Sequence, residues 1–321
     1  MTRFASRLSV LLGAAALGTS LAHAQSAPPA PASVDRITHD VAWLADDARE
    51  GRGVGTDGLE AAAAYIAEEF GEIGLEPGGS DGYLQPFELD PNSPVLAHTQ
   101  LGGERVKNVI GILPGRGALA GEVVVIGAHY DHLGLGTRGY AQMSRDSTAT
   151  NQVHNGADDN ASGTAALLEA ARTLAARHAE SHRTIVFVAF TAEELGTIGS
   201  SYYVDHPAAA HDSTVAMLNF DMVGRLSGDT LVVGGTGSAA ELEAVLDRVN
   251  DRYGFSIGKQ ADPWGNSDHA VFYAKDVPVL HFYTSLHRDY HTPSDDWQLL
   301  NTTGIARIVA FASEVAWELA T

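Results

Sequence analysis

The sequence predicts an α/β protein with a mixed, mostly parallel central sheet and helices on both of its faces. Three observations carry this expectation. From residue 106 onward, short β-branched or aromatic runs alternate with longer segments of helical period, the pattern of crossover units that build parallel sheets. The runs at Glu122–Ala128 and Thr184–Phe190 are apolar at nearly every position, as in strands covered on both faces. The chain has 321 residues, 45% hydrophobic and 19% charged, with 12 Pro, enough for one sizeable core.

Taken in order, residues 1–24 read as an export signal. Arg3 and Arg7 form the positive start, Leu8–Leu17 the apolar stretch, and Ala22-His23-Ala24 a cleavage site before Gln25. The apolar run is short for a membrane span. The chain is therefore expected to be exported, to the periplasm or outside the cell, and free of the membrane once the signal is cut. Residues 25–33 form a Pro/Ala linker, and 34–321 a single domain. Helices are expected at Ser33–Leu44 and at Leu59–Ile73, the second stopped by Gly74. Between them, Glu50-Gly-Arg-Gly-Val-Gly-Thr56 has the glycines of a phosphate cradle. It lacks both the Lys-Ser/Thr ending and a preceding strand, so that reading is set aside. Strands follow at Val106–Leu113 and Glu122–Ala128, a helix at Ala161–Ala176, and strands at Thr184–Phe190, Val215–Phe220 and Thr230–Val233. A helix at Ala239–Tyr253, a strand at Val277–Phe282 and a helix at Thr302–Leu319 complete the series. The polar stretch Gly134–His154 is read as a surface loop or a flap over a cleft.

Asp and Glu number 40 against 20 Lys and Arg, a net charge of −20. Such a surface repels phosphate backbones and anionic lipid, so neither nucleic acid nor a membrane surface is expected as a partner. The chain has no cysteine, which excludes disulfides, thiolate metal sites and cysteine nucleophiles.

Chemistry concentrates just past the strand ends, where open α/β sheets bind ligands. Strand 122–128 runs into His129-Tyr-Asp-His132, strand 184–190 into Thr191-Ala-Glu-Glu194, and strand 215–220 into Asp221. Loops add Asp158-Asp159 and His291. Imidazole and carboxylate without thiolate is the ligand set of hydrolytic zinc sites, often with two metals. Such sites need one carboxylate shared between ions and another left free to accept a proton. The Glu193-Glu194 pair suits one ligand and one base. Singly, each piece has a plainer reading: Asp158-Asp159 as a helix cap, Glu193-Glu194 as an acidic helix start. A carboxylate after the apolar strand, Asp221, requires a partner.

The ordered motifs resemble those of the M28 family of zinc aminopeptidases. They are Glu50-Gly-Arg-Gly, His129-Tyr-Asp-His-Leu-Gly134, Asn155-Gly-Ala-Asp-Asp-Asn-Ala-Ser-Gly163, Thr191-Ala-Glu-Glu-Leu-Gly196, Asn219-Phe-Asp-Met222, Ser267-Asp-His269 and Tyr290-His-Thr-Pro-Ser-Asp295. The resemblance covers nearly all of the chain beyond residue 33. It implies the three-layer zinc-exopeptidase fold and two Zn2+ per chain. In that assignment Asp158 bridges the ions, His129 and Asp221 complete one set, and Glu194 and His291 the other. Glu193 is the implied general base and Tyr290 the implied oxyanion donor. Asp131 is expected to orient His129, and Asp295 to orient His291. A cis peptide is expected between Asp158 and Asp159. Asp268 and His269 are expected on the substrate side, whereas His132 and His154 are read as loop histidines. The implied activity is hydrolysis of the N-terminal residue from peptides with free amino termini, by a metal-activated water.

Rival readings are weaker. A single-zinc glutaminyl cyclase of the same fold would not need both His129 and Asp221, and a non-catalytic receptor-like member would have lost ligands. A metallo-β-lactamase motif wants a histidine where Gly127 stands. A carboxypeptidase needs basic residues to grip a carboxylate, and only Arg225 and Arg288 are on offer. Gly78-Gly-Ser-Asp-Gly82 matches a nucleophile elbow in letters, but no strand precedes it.

Overall fold

The computed structural model describes residues 32–97, 99, 101–136, 143–149, 151–180, 182–208 and 213–321. The expected export signal, and all of the linker but its last two residues, lie outside them. Helix α1 (Val34–Leu44) begins where the Ser33 side chain accepts from Arg36 N, and buries Ile37, Val41 and Leu44. Helix α2 (Asp57–Ile73) is capped by Thr56 and ends at Gly74, whose φ of 85° places it in the left-handed region where a Cβ is disfavoured.

The sheet is built from β1 (Glu76–Pro77), β2 (Leu84–Glu88), β3 (Arg105–Leu113), β4 (Val123–His129), β5 (Thr184–Phe190), β6 (Thr214–Phe220), β7 (Thr230–Gly234), β8 (Ser256–Lys259) and β9 (Val279–Tyr283). Its order is β1-β3-β5-β4-β6-β9-β7-β8, with β2 pairing β3. The central strands β5, β4, β6 and β9 are parallel, whereas β3 runs antiparallel to β5 and β7 to β9. The sheet is thus mixed and mostly parallel at its centre, as the sequence predicts.

Alternation along β4 explains its continuous apolar run. Val124 and Ile126 face a core layer shared with α1, α2, α3 (Gly163–Ala175), α5 (Leu242–Asn250) and α7 (Thr302–Ala320). Val123 and Val125 face the opposite layer, with Tyr203 and Val204 of α4 (Ile198–Asp205) and Phe272 of α6 (His269–Tyr273). Both faces are covered, so neither register of the pleat can be polar.

The sequence reading missed the short elements β1, β2, β8, α4 and α6. Each has too few residues for a period to declare itself, and β2 carries Pro86. Helix α3 starts two residues later than expected, because Ala157–Ser162 forms a wide turn in which Asp159 and Asn160 depart from helical geometry.

Candidate metal centre

The parallel strands β4, β5 and β6 end at one rim and deliver His129, Glu193-Glu194 and Asp221 there, while the wide turn before α3 delivers Asp159 and the loop before α7 delivers His291. His129 Nε2 lies 3.4 Å from Asp159 Oδ1 and 3.5 Å from Asp221 Oδ1. His291 Nε2 lies 3.0 Å from Asp159 Oδ2 and 3.2 Å from Glu194 Oε2. The two oxygens of Asp159 therefore face two different imidazoles, each accompanied by one further carboxylate.

This arrangement corrects the sequence assignment of Asp158. That side chain is fully buried but turned away, with Oδ1 accepting from Gly224 N at 2.6 Å and from Ser162 Oγ at 3.0 Å. Its Oδ2 lies 3.1 Å from His287 Nε2. The cis peptide is likewise one residue further on, at Asp159–Asn160. Consecutive aspartates in an irregular turn point in different directions, and their letters do not say which points inward.

The surrounding contacts correct two further expectations. Asp295 does not touch His291: its Oδ2 accepts from the backbone N–H groups of Asp158 and Asp159 at 2.8 and 3.1 Å, and its Oδ1 from Arg225 at 3.1 Å. It holds the turn rather than the imidazole, whose Nδ1 instead meets Met143 O at 3.0 Å. His132 is not a mere loop histidine. It is fully buried, with Nδ1 2.6 Å from Glu194 Oε1, which leaves Oε2 toward His291. Only the offset of three residues from His129 hints at this in the sequence.

Asp131 lies beside His129, its Oδ1 3.8 Å from Nδ1, while the closer contact is the Asp131 backbone O at 3.2 Å. The same carboxylate accepts from Glu193 N at 3.0 Å and Glu194 N at 3.4 Å, and so fixes the turn that separates the paired glutamates. Burial pushes the Asp131 carboxyl up to about 7. Burial, with Asp268, Glu194 and Asp221 nearby, also holds the Glu193 carboxyl well above the usual range. Burial works to raise Glu194 too, but His132 and His291 hold it below its ordinary value. Adjacent glutamates thus sit in opposite electrostatic conditions.

The donor set fits a metal. His129 Nε2, Asp221 Oδ1 and His291 Nε2 are buried without hydrogen-bond partners, an expensive condition that metal coordination relieves. Among the described residues, two groups converge closely enough to hold an ion: His129, Asp159 and Asp221, and His132, Asp159 and Glu194. Asp159 belongs to both. In the second group His291 approaches the same two carboxylates as His132 does.

A cavity of about 310 Å³ opens onto this cluster, with Trp264 and Leu286 at its mouth. Tyr290 lines it, its ring stacked on His291 with centroids 3.8 Å apart. Burial and the carboxylates nearby raise the Tyr290 phenol, so it stays protonated and able to donate. His269 and His281 line another wall, stacked at 4.4 Å, and burial pushes His269 down to about 2, leaving it neutral. Asp268 is fully buried, off the cavity wall.

Residues 108–316 match the model of Peptidase family M28, and the chain belongs to that family. It is 29% identical over 208 residues to aminopeptidase YwaD of Bacillus subtilis, a match covering 59% of this chain and 39% of the relative. The chain thus spans about two-fifths of that relative's length. Its fold is shared with BSAP, a zinc aminopeptidase from Bacillus subtilis, at TM-score 0.71 and 18% identity, covering 91% and 96% of the two chains. A Bacteroides thetaiotaomicron glutaminyl cyclase bound to N-acetylhistamine is similar at TM-score 0.70 and 18% identity, covering 90% and 99%.

Proposed function

We propose that the chain is an exported two-zinc aminopeptidase that hydrolyses the N-terminal residue from peptides with a free amino terminus. The observation that carries this reading is the single carboxylate of Asp159, whose two oxygens face His129 and His291. Asp221 completes one set and Glu194 the other. His129, Asp159 and Asp221 would hold one zinc, and Asp159, Glu194 and His291 the second. When bound, zinc supplies Lewis acidity for hydrolysis near neutral pH.

The chain's own residues do the rest. Glu193 belongs to neither set, and its Oε2 lies 4.0 Å from His129 Nε2, so its carboxylate is left to take a proton from the attacking water. It then returns that proton to the leaving amine. Tyr290, protonated and facing the cavity, donates to the oxygen that gains charge as the carbonyl is attacked. Asp131 keeps the Glu193-Glu194 turn in place, and His132 holds one oxygen of Glu194 so that the other faces inward. The cavity takes the side chain of the residue to be released.

The cyclase reading has the fold similarity in its favour and requires one metal. The complete His129–Asp159–Asp221 set favours two. Release of chromophore from aminoacyl-p-nitroanilides distinguishes the readings. Cleavage of free-amino but not N-acetylated substrates, abolished by chelator and restored by zinc, is expected. Cyclisation of N-terminal Gln without hydrolysis would overturn the peptidase reading.

A further inference from the structure

The Glu50-Gly-Arg-Gly53 loop has no part in the mechanism above, yet it lies against both ligand-bearing loops. We propose that Arg52 is a positioning residue of the metal centre, clamping the chain just past His129, at the end of β4, to the turn that carries Asp159. The proposal rests on the two-metal reading.

Arg52 is fully buried. Its Nε donates to Tyr130 O at 2.7 Å, immediately after His129. Its Nη1 donates to Asn155 O at 2.8 Å and to Leu44 O at 2.7 Å, and its Nη2 to Gly156 O at 2.8 Å, three residues before Asp159. These bonds end on backbone carbonyls. Burial pushes the Arg52 guanidinium down to about 10, while the acids Asp131, Asp159, Asp295 and Glu194 oppose that shift through space, so it stays a cation at neutral pH behind a carboxylate-rich centre. A planar fork of donors meets several carbonyls at once, whereas an ammonium cannot reproduce that geometry.

The backbone repeats the connection. His132 N donates to Arg52 O at 3.2 Å and Gly134 N to Gly51 O at 3.1 Å. A Cβ on Gly51 would lie 2.3 Å from His154 O, and one on Gly53 2.7 Å from Gly134 Cα, so the glycines permit the approach. Arg52 itself has φ 46°, a left-handed conformation costly for any residue with a Cβ. A residue that needs only to turn the chain there would be glycine. What an arginine adds is its side chain, and that side chain ends on the two ligand loops.

The test uses Arg52→Lys and Arg52→Met in the full chain, with Arg172→Met as control. Arg172 bonds Asp40 and Glu169 in the helical layer, remote from the ligands. Chelator competition gives zinc affinity, and steady-state kinetics the split between kcat and KM. Both Arg52 variants, folded by near-UV circular dichroism, are expected to bind zinc at least ~10-fold more weakly, as for other residues that orient ligands. Their kcat at fixed zinc should fall while KM stays within about threefold. Arg172→Met should lower the melting temperature and leave zinc affinity alone. Wild-type zinc affinity in folded Arg52→Met, or equal weakening in Arg172→Met, would overturn the proposal. Should neither Arg52 variant fold, linkage supplies the measurement in the wild-type enzyme. If Arg52 supports zinc binding, zinc must support the Arg52 bonds, so exchange of its Nε–H must slow on zinc loading, and unchanged exchange overturns the clamp. A wild-type chain that binds no zinc would instead sink the two-metal reading itself.

Discussion

Exchanging a carboxylate for its amide at two consecutive positions separates a ligand from a structural residue. Asp158→Asn disturbs a fully buried carboxylate that accepts from Gly224 N and Ser162 Oγ. Hydrogen bonds to a charged group contribute roughly 1.5–3 kcal/mol each. The amide keeps one oxygen to accept with, so the expected loss is about 1–3 kcal/mol, seen as a melting temperature lower by several degrees. Two zinc ions per chain and most of the activity should survive. Asp159→Asn disturbs no backbone anchor among the described residues, where the N–H groups of the turn donate to Asp295 and not to Asp159. It does remove the anion that faces both His129 and His291. The cost in zinc affinity should exceed the ~10–100-fold typical of residues that merely orient ligands, leaving at most one ion per chain and little turnover. The assays are metal content after dialysis, thermal unfolding and hydrolysis of leucine p-nitroanilide. If Asp158→Asn lost zinc while Asp159→Asn kept both ions, the bridging assignment would be refuted.

Other expectations follow from the same geometry. Glu193→Gln is isosteric and outside both ligand sets, so it should keep both zinc ions while kcat falls by roughly 10²–10⁴, the range of a general base; retention of the wild-type rate would remove Glu193 from that role. His132→Phe frees Glu194 Oε1 and should weaken the Glu194–His291 zinc selectively, read as a biphasic chelator titration; a single unchanged phase would contradict it. In the zinc-free protein, burial pushes Asp131 and Asp268 up to about 7. Their contributions to stability are full below the ordinary carboxylate pKa of about 4 and are lost as pH rises through 7. For His291, burial lowers the pKa, but Asp159 and Glu194 raise it to about 10, so its contribution is present below about 6.5 and lost as pH rises through 10. His269, pushed down to about 2 by burial, works the other way, but only below about 6.5. Above that range the signs agree, and the melting temperature of the zinc-free protein should decline between about pH 7.5 and 9.5; a rise over that window would contradict the assignment. Export should leave an N-terminus at Gln25, which terminal sequencing of the mature chain reads directly.

The central sheet was legible because burial on both faces writes itself as uninterrupted apolar runs, and the ends of those runs locate the rim. His129 and Asp221 are found that way, since a polar residue at the end of such a strand has one place to go. The short edge elements were not legible: β8 has four residues and α6 five, below the length at which a period can be counted. His132 was missed for another reason. Its partner Glu194 lies 62 residues away, and adjacency of β4 and β5 in the sheet is what brings them together.

The one-residue error at Asp158 has a physical basis that sharpens the case for Arg52. On a strand or helix, a ligand's direction follows from periodicity, but Ala157–Ser162 has neither period. Its direction is imposed from outside: Asp295 holds the N–H groups of Asp158 and Asp159, Asn160 donates to Phe220 O, and Arg52 holds the carbonyls of Asn155 and Gly156. A carboxylate that must face two imidazoles needs its backbone fixed on both sides, since a turn without internal regularity has no stiffness of its own. Asp295 and Asn160 act within and after the turn. Arg52 acts before it, and also reaches the residue next to His129. Among these anchors, it is the one whose bonds span both ligand loops, so its loss should be felt as a change in the spacing of His129 and Asp159 before it is felt as unfolding.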